Sequence, residues 1–191
     1  PKFTDPEILR SSLAAVLLRM SALRLPKIQE FPFIDKPLGR AIADGVQLLD
    51  ELGAITNGET SGGDSKDLNN SFKLTPIGKQ LADLPLDPRI GRMLLAAKEQ
   101  NALREVTIIA SALATQDPRD RPMDQAAAAD QAHLQFADDR SEFLSFVKLW
   151  DWYQDALKHK HSNRQLENLC RSKFLSPRRL REWRDVHGQL H

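Results

Sequence analysis

Apolar residues recur at helical spacing along most of this 191-residue chain, and short polar or proline-bearing breaks separate the runs. Ile8, Leu9, Leu13, Val16, Leu17 and Met20 form the first stripe. Steps of three and four residues predict one buried helix face. Thr4-Asp5-Pro6-Glu7 opens that helix with cap residues, a proline just inside the start and an acid in the first turn. Pro26 ends it. Phe31-Pro32-Phe33-Ile34 reads as a short extended segment, and Asp35-Lys36-Pro37 starts a second helix. Its buried face is Ala41, Ile42, Val46, Leu48, Leu49 and Leu52, and Gly53 takes the position after the helix end that favours left-handed backbone.

The period then changes. Ala54-Ile55-Thr56 and Ser71-Phe72-Lys73-Leu74 flank a Gly-, Ser-, Asp- and Asn-rich stretch, which predicts two short strands around a long polar loop. Next come two helix starts in succession. Thr75 caps a helix with Pro76 at its first position, spanning residues 76–83. Leu84-Pro85-Leu86 breaks it, because a residue before proline is pushed out of the α region. Asp87 and Pro88 repeat the signature for a helix over 89–100. This stretch is the joint between two units, residues 1–83 and 84–191.

The second unit is predicted all-helical. Ile90, Met93, Leu94 and Ala97 line one face of its first helix. Residues 103–115 are apolar around most of the circumference, as for a helix central in a bundle. A loop over 116–122 is followed by a helix over 123–136. Asp138-Asp139 opens the longest helix, from Arg140 to about His159. Phe143, Phe146, Val147, Trp150, Tyr153 and Leu157 recur along it at helical spacing, and read as core rather than as a base-stacking platform. Short helices over 164–172 and from about 177 complete the chain. On the last, Leu180, Trp183, His187 and Leu190 share a face, with Val186 beside them. Arg178, Arg181 and Arg184 line the opposite side.

Helices, hairpin and helix in this order suggest a winged helix. Charge argues against a duplex-reading one. Arg40 on the second helix stands against Asp44, Asp50 and Glu51, and in the wing Lys66 and Lys73 are offset by Glu59, Asp64 and Asp67. Such a surface repels a phosphate backbone. The whole chain is nearly neutral at +1, but its charge is segregated. Residues 116–157 carry nine acids and four bases, a net of −5, whereas residues 158–191 carry nine bases and three acids, a net of +6. Polyanion contact is therefore sought in the C-terminal segment. The arginine stripe of the last helix is the first candidate, with Arg119, Arg121 and Lys173 secondary.

Several chemistries have no recognisable motif here. Phosphoryl transfer needs a phosphate cradle, a metal-holding acid and an in-line water. The chain lacks a GxxxxGK[ST] loop, an Asp-Glu-Ala-His box and an arginine-finger motif. No serine stands in a G-x-S-x-G context. His159-Lys160-His161 has no cysteine or carboxylate cluster nearby in sequence and is read as a polar helix end, not a metal site. The single Cys170 excludes an intramolecular disulfide and fits a reducing compartment. The longest apolar run falls short of the roughly 20 residues that span a bilayer, and no signal peptide opens the chain. The chain starts with Pro1, so a segment of a longer cytoplasmic protein is expected, inert on its own and monomeric.

Thr75-Pro76-Ile77-Gly78 followed by Leu84-Pro85-Leu86-Asp87-Pro88-Arg89 resembles the junction after the motor of DEAH-box RNA helicases. Pro6-Glu7-Ile8-Leu9-Arg10, Phe31-Pro32-Phe33-Ile34-Asp35 with Pro37, and Leu49 through Ala54 are similar to the opening of their helicase-associated region. Residues 116–122 resemble the family's loop between ratchet helices, and Asp139 to Trp150 its long helix across the bundle. Asn168-Leu169-Cys170, Phe174-Leu175 and Leu180-Arg181-Glu182-Trp183 look most like the bacterial HrpA-type enzymes. Eukaryotic relatives usually carry a small residue at the Trp183 position and arginine at the His187 position. The resemblance implies a mainly α fold, with a degenerate winged helix and a β-hairpin wing followed by a helical ratchet bundle. It implies an accessory module that binds no cofactor itself. ATP and Mg²⁺ would belong to motor domains elsewhere in the parent, and single-stranded RNA and those motor domains would be its partners. The alternative is a protein-interaction scaffold that never touches nucleic acid.

Overall fold

The computed structural model describes residues 13–57 and 72–190. The helix opening at Thr4–Glu7, the Ile8 and Leu9 positions and the wing loop with Glu59, Asp64, Lys66 and Asp67 lie outside them.

Helices α1 (Leu13–Ala22) and α2 (Gly39–Glu51) are followed by strands β1 (Ile55–Asn57) and β2 (Phe72–Leu74) and by helix α3 (Pro76–Asp83). β1 and β2 pair antiparallel, Ile55 opposite Leu74 and Asn57 opposite Phe72. This is the predicted hairpin. Leu13, Ala14, Leu17, Leu18 and Met20 of α1 pack with Ile42, Leu48 and Leu49 of α2, and all are buried together with Ala54, Ile55 and Leu81. Thr75 caps α3 as predicted, its hydroxyl accepting from the Gly78 N–H at 3.0 Å. At the start of α4 (Pro88–Glu99), the Asp87 carboxylate accepts from the Arg89 N–H at 2.9 Å, again the predicted cap.

The segment between α1 and α2 departs from expectation. Phe31–Ile34 is not extended: the Glu30 and Phe31 N–H groups fold back onto the Lys27 carbonyl, and Phe33 N–H bonds to Phe31 O. The two phenylalanine rings pack at 4.7 Å. Ring contact and turn bonds satisfy this segment locally. α2 starts at Gly39 rather than after Asp35, and no side chain caps it.

Contacts divide the chain into two compact units between Arg92 and Met93, inside α4. Asp83 marks the end of α3, but the first turn of α4 packs back on the first unit. A side-chain carbon placed on Gly91 would stand 2.9 Å from Leu81 Cδ2 and 3.3 Å from Leu84 Cδ1.

In the second unit α5 (Leu103–Leu113), α6 (Ala126–His133), α7 (Glu142–His159), α8 (Asn163–Ser172) and α9 (Pro177–Leu190) form a bundle. α5 is central as its sequence predicts, with Thr107 to Ala112 all buried, and it packs on α7 and α9. The aromatic stripe of α7 is core: Phe146, Trp150 and Tyr153 are buried, whereas Phe143 in its first turn is half exposed. Trp183 of α9 is the largest fully buried side chain. Its ring lies 5.0 Å from Trp150 and 6.1 Å from Phe146. The helix predicted over 123–136 is three pieces, with 3₁₀ turns at Met123–Gln125 and Leu134–Phe136 around α6. Ser141 caps α7 two residues after the predicted start, and Ser162 caps α8.

The Asp138-Asp139 opening has another use. Asp138, with its side chain 6% exposed, accepts from the Arg140 guanidinium and N–H and from Lys148 Nζ at 3.1 Å. The Arg140 hydrogen bonds first, then Lys148, hold its carboxyl far below the ordinary carboxylate range. A carboxyl more acidic in the folded than in the unfolded chain stabilises fully above the ordinary value near pH 4. That contribution is lost as pH falls further. Asp138→Asn should therefore unfold at lower urea than wild type at pH 7, and the gap should narrow steadily as the pH falls from about 4 toward 2. Urea midpoints followed by tryptophan fluorescence across that range test this. A gap independent of pH would point to lost hydrogen-bond geometry instead of charge.

Candidate nucleic-acid interface

The last helix presents its arginines because its other side is fully committed. Leu180 and Trp183 are completely buried, and Arg178, Arg181 and Arg184 stand on exposed positions. Arg178 points away from that apolar anchor, whereas Arg184, four residues after Leu180, stands on its flank and, with Arg181, beside Tyr153. Each arginine also has a carboxylate neighbour. Arg178 Nε donates to Glu182 at 3.0 Å, Arg181 Nη1 to Glu167 at 3.0 Å, and Arg184 lies 3.5 Å from Asp185. Exposed pairs of this kind are worth about 0–1 kcal/mol.

The secondary candidates are placed differently. Arg119 is folded inward, with its side chain 25% exposed. It makes paired hydrogen bonds to Asp117 at 2.7 and 3.0 Å, and its guanidinium stacks over the Phe146 ring at 5.1 Å. Burial of Asp117 opposes ionisation, yet the Arg119 hydrogen bonds prevail and keep its carboxyl below the usual range. Arg121 forms a two-point pair with Asp130 at 2.7 and 2.8 Å and stays largely exposed. Lys173 ends α8 half-buried, its N–H bonding back to Cys170 O.

A residue outside the sequence-based set ties these parts together. Arg179 Nη1 donates to Asp120 Oδ1 at 2.7 Å and to the Asp117 carbonyl at 3.1 Å. Asp120 N–H bonds to Phe174 O, Ser176 N–H to Pro118 O, and the His133 ring nitrogen lies 3.1 Å from Phe174 O. The loop over 116–122 is thereby clamped to the turn before α9. Phe174 holds that turn in left-handed backbone, φ 53°, a strain of about 1–2 kcal/mol that these bonds offset. No local signal marks Arg179, since its partners lie 59 and 62 residues away.

Among the described residues no three histidine, cysteine or acidic side chains converge to hold a metal ion. His159 Nδ1 is 2.9 Å from the Asp155 carbonyl, at the end of its own helix. Among them, too, no helix is long and apolar enough to cross a membrane.

A small hairpin-bearing helical unit followed in the chain by a helical bundle with an outward basic helix defines a class. The helicase-associated winged-helix family matches residues 45–86, and the ratchet-like helicase-associated family matches residues 87–176. The chain belongs to this helicase-associated region of DExH/HrpA-type RNA helicases.

Particular relatives narrow the class. The chain is 49% identical over 190 residues to the ATP-dependent RNA helicase HrpA of Escherichia coli K12, and 46% identical to the HrpA homolog of Haemophilus influenzae. Both alignments cover the whole chain but 14% of the relative. It is 31% identical to the DExH-box ATP-dependent RNA helicase DExH1 of Arabidopsis thaliana, of which it covers 18%.

Proposed function

We propose that this chain is the accessory, non-catalytic module of an ATP-dependent DEAH-box RNA helicase in the bacterial cytoplasm. In this reading the winged helix links the bundle to motor domains that bind ATP and Mg²⁺. The bundle helps hold single-stranded RNA while the motor, in a monomeric enzyme, steps along it. Arg178, Arg181 and Arg184 face the strand. Arg121 and Lys173 are positioned to assist, and Arg119 the least, because it is already spent on Asp117 and Phe146.

The observation that carries the reading is the row of three exposed arginines on α9, a helix anchored by completely buried Leu180 and Trp183. Arginines in a row repel one another, and a phosphate backbone removes that repulsion. Contact of this type is indifferent to base sequence and sensitive to salt. Arg178→Glu with Arg181→Glu should lower affinity for a labelled single-stranded RNA by about tenfold or more at low salt. The slope of log affinity against log salt should shrink by about 1.4, close to 0.7 per phosphate contact. Titration at two salt concentrations measures both.

A scaffold that docks a protein partner is the second reading, favoured by the carboxylate neighbour of each stripe arginine. If the chain binds no RNA, and the same double reversal leaves the RNA affinity of the full-length helicase unchanged, the scaffold reading replaces the first.

A further inference from the structure

A groove of about 240 Å³ opens between the C-terminal half of α7, α8 and the start of α9. Lys160, Arg181 and Arg184 line it, against one carboxylate, Glu167. Tyr153 also lines it and is 1% exposed. Its hydroxyl bonds to no described residue. Yet among the described residues no sealed side-chain polar atom is left without a partner. The hydroxyl therefore keeps accessible surface, and the groove that Tyr153 lines gives it room to donate to a ligand. The charges of Arg184 and Arg181 reach this phenol and act against the burial that disfavours its ionised form.

The bases keep spare donors. Arg181 uses one N–H on Glu167, out of the five a guanidinium carries. Lys160 Nζ gives one to Asn163 Oδ1 at 2.9 Å, out of three. Arg184 lies 3.5 Å from its carboxylate neighbour, Asp185. Three cations and a neutral hydroxyl, from α7 with its C-terminal cap and from α9, suit an anion with acceptor oxygens in several directions. A tetrahedral phosphate has them, whereas a planar carboxylate offers two oxygens in one plane.

We propose that this groove holds one phosphate group, with the Tyr153 hydroxyl donating to it and Lys160, Arg181 and Arg184 supplying the positive charge. For its natural source the proposal rests on the strand-holding reading above: the phosphate belongs to an RNA backbone. Orthophosphate offers the same chemistry from a free source.

Tyr153 is the only tyrosine of the chain, so ring-labelled tyrosine gives one set of NMR signals that reports the groove. Both a single-stranded oligouridylate and inorganic phosphate should shift it. Tyr153→Phe should weaken oligouridylate binding about three- to tenfold with an unchanged salt slope, since the hydroxyl is a neutral donor to a charged acceptor. Arg184→Ala should weaken binding and reduce the slope by about 0.7. The hydroxyl has no partner among the described residues, so Tyr153→Phe should retain the wild-type urea midpoint, which separates lost binding from lost folding. Suppose Tyr153→Phe binds RNA like wild type while the Arg178 and Arg181 reversals weaken it. The groove proposal is then overturned and the strand-holding reading survives. Suppose instead that inorganic phosphate shifts the tyrosine signals but no RNA binds. The phosphate site stands, and strand holding fails. Signals that neither probe moves overturn the groove outright.

Discussion

Gly78→Ala is expected to unfold the winged-helix unit while the helical bundle keeps its own transition. The start of α3 is pressed against the exit of α2 by a short chain of bonds. Thr75 N–H donates to Ala54 O at 3.0 Å, and Thr75 Oγ1 donates to Gly53 O at 2.7 Å and accepts from Gly78 N–H. This brings the Gly78 α-carbon so close that an added Cβ would stand 2.0 Å from Ala54 O and 2.9 Å from Ala54 C. The obstacle is backbone, so no rotamer change relieves it. α3 would have to move away, breaking the Thr75 bonds that hold it beside the hairpin. Overpacking usually costs about 1–3 kcal/mol; with an unyielding obstacle the cost should reach about 4 kcal/mol, a large fraction of the stability of a small unit. The measurement separates the units cleanly, since all three tryptophans, Trp150, Trp152 and Trp183, lie in the bundle. Far-UV circular dichroism should lose helix at low urea while tryptophan fluorescence follows the wild-type curve. Coincident wild-type curves from both probes would show that α3 retreats at little cost, and the close approach would lose its significance.

Trp183→Ala should be the most damaging substitution in the bundle. The indole fills the space between α5, α7 and α9 with no exposed surface. Its Nε1 donates to Ser111 Oγ at 2.9 Å and lies 3.2 Å from Ile108 O. Ser111 in turn bonds to the Thr107 and Ile108 carbonyls within α5. Truncation removes the ring and leaves a cavity lined by Trp150 and Phe146, which costs about 3–5 kcal/mol. Trp183→Phe keeps an aromatic ring and loses the N–H, so its cost should be about 1–2 kcal/mol, chiefly the orphaned acceptors on α5. Urea unfolding followed by the two remaining tryptophans gives both numbers. A loss below about 1 kcal/mol for the alanine variant would mean that the bundle collapses into the space, against the tight packing around the indole. On the strand-holding proposal, the alanine variant should lose RNA affinity in step with its folded fraction, whereas arginine variants should lose it while folded.

Much of this architecture was legible in the chain because its signals are local. Thr75 with Pro76 and Asp87 with Pro88 mark helix starts within four residues, and both caps form. The apolar stripes of α1, α5 and α7 repeat within a turn or two, and those faces are the buried ones. Misreadings arose where local signals competed. Asp138 looks like a helix cap, but it binds Arg140 and Lys148 and leaves capping to Ser141. The apolar Phe31–Ile34 run reads as a short extended segment, but local bonds fold it into turns.

The candidate surface divides along the same line. By itself the sequence determined that α9 buries Leu180 and Trp183 and exposes a row of arginines, because helical periodicity sorts residues that are near in sequence. Only the tertiary structure decided which arginines are available and what stands beside them. Arg119 turns inward onto Phe146, Arg179 is taken by Asp120, and Tyr153 of the core stripe lines one groove with Arg181 and Arg184. These outcomes join side chains brought together by folding from positions 27 to 59 residues apart. Hydrogen bonds and close packing act over a few ångströms in space, and no pattern confined to neighbouring residues encodes which distant groups will meet.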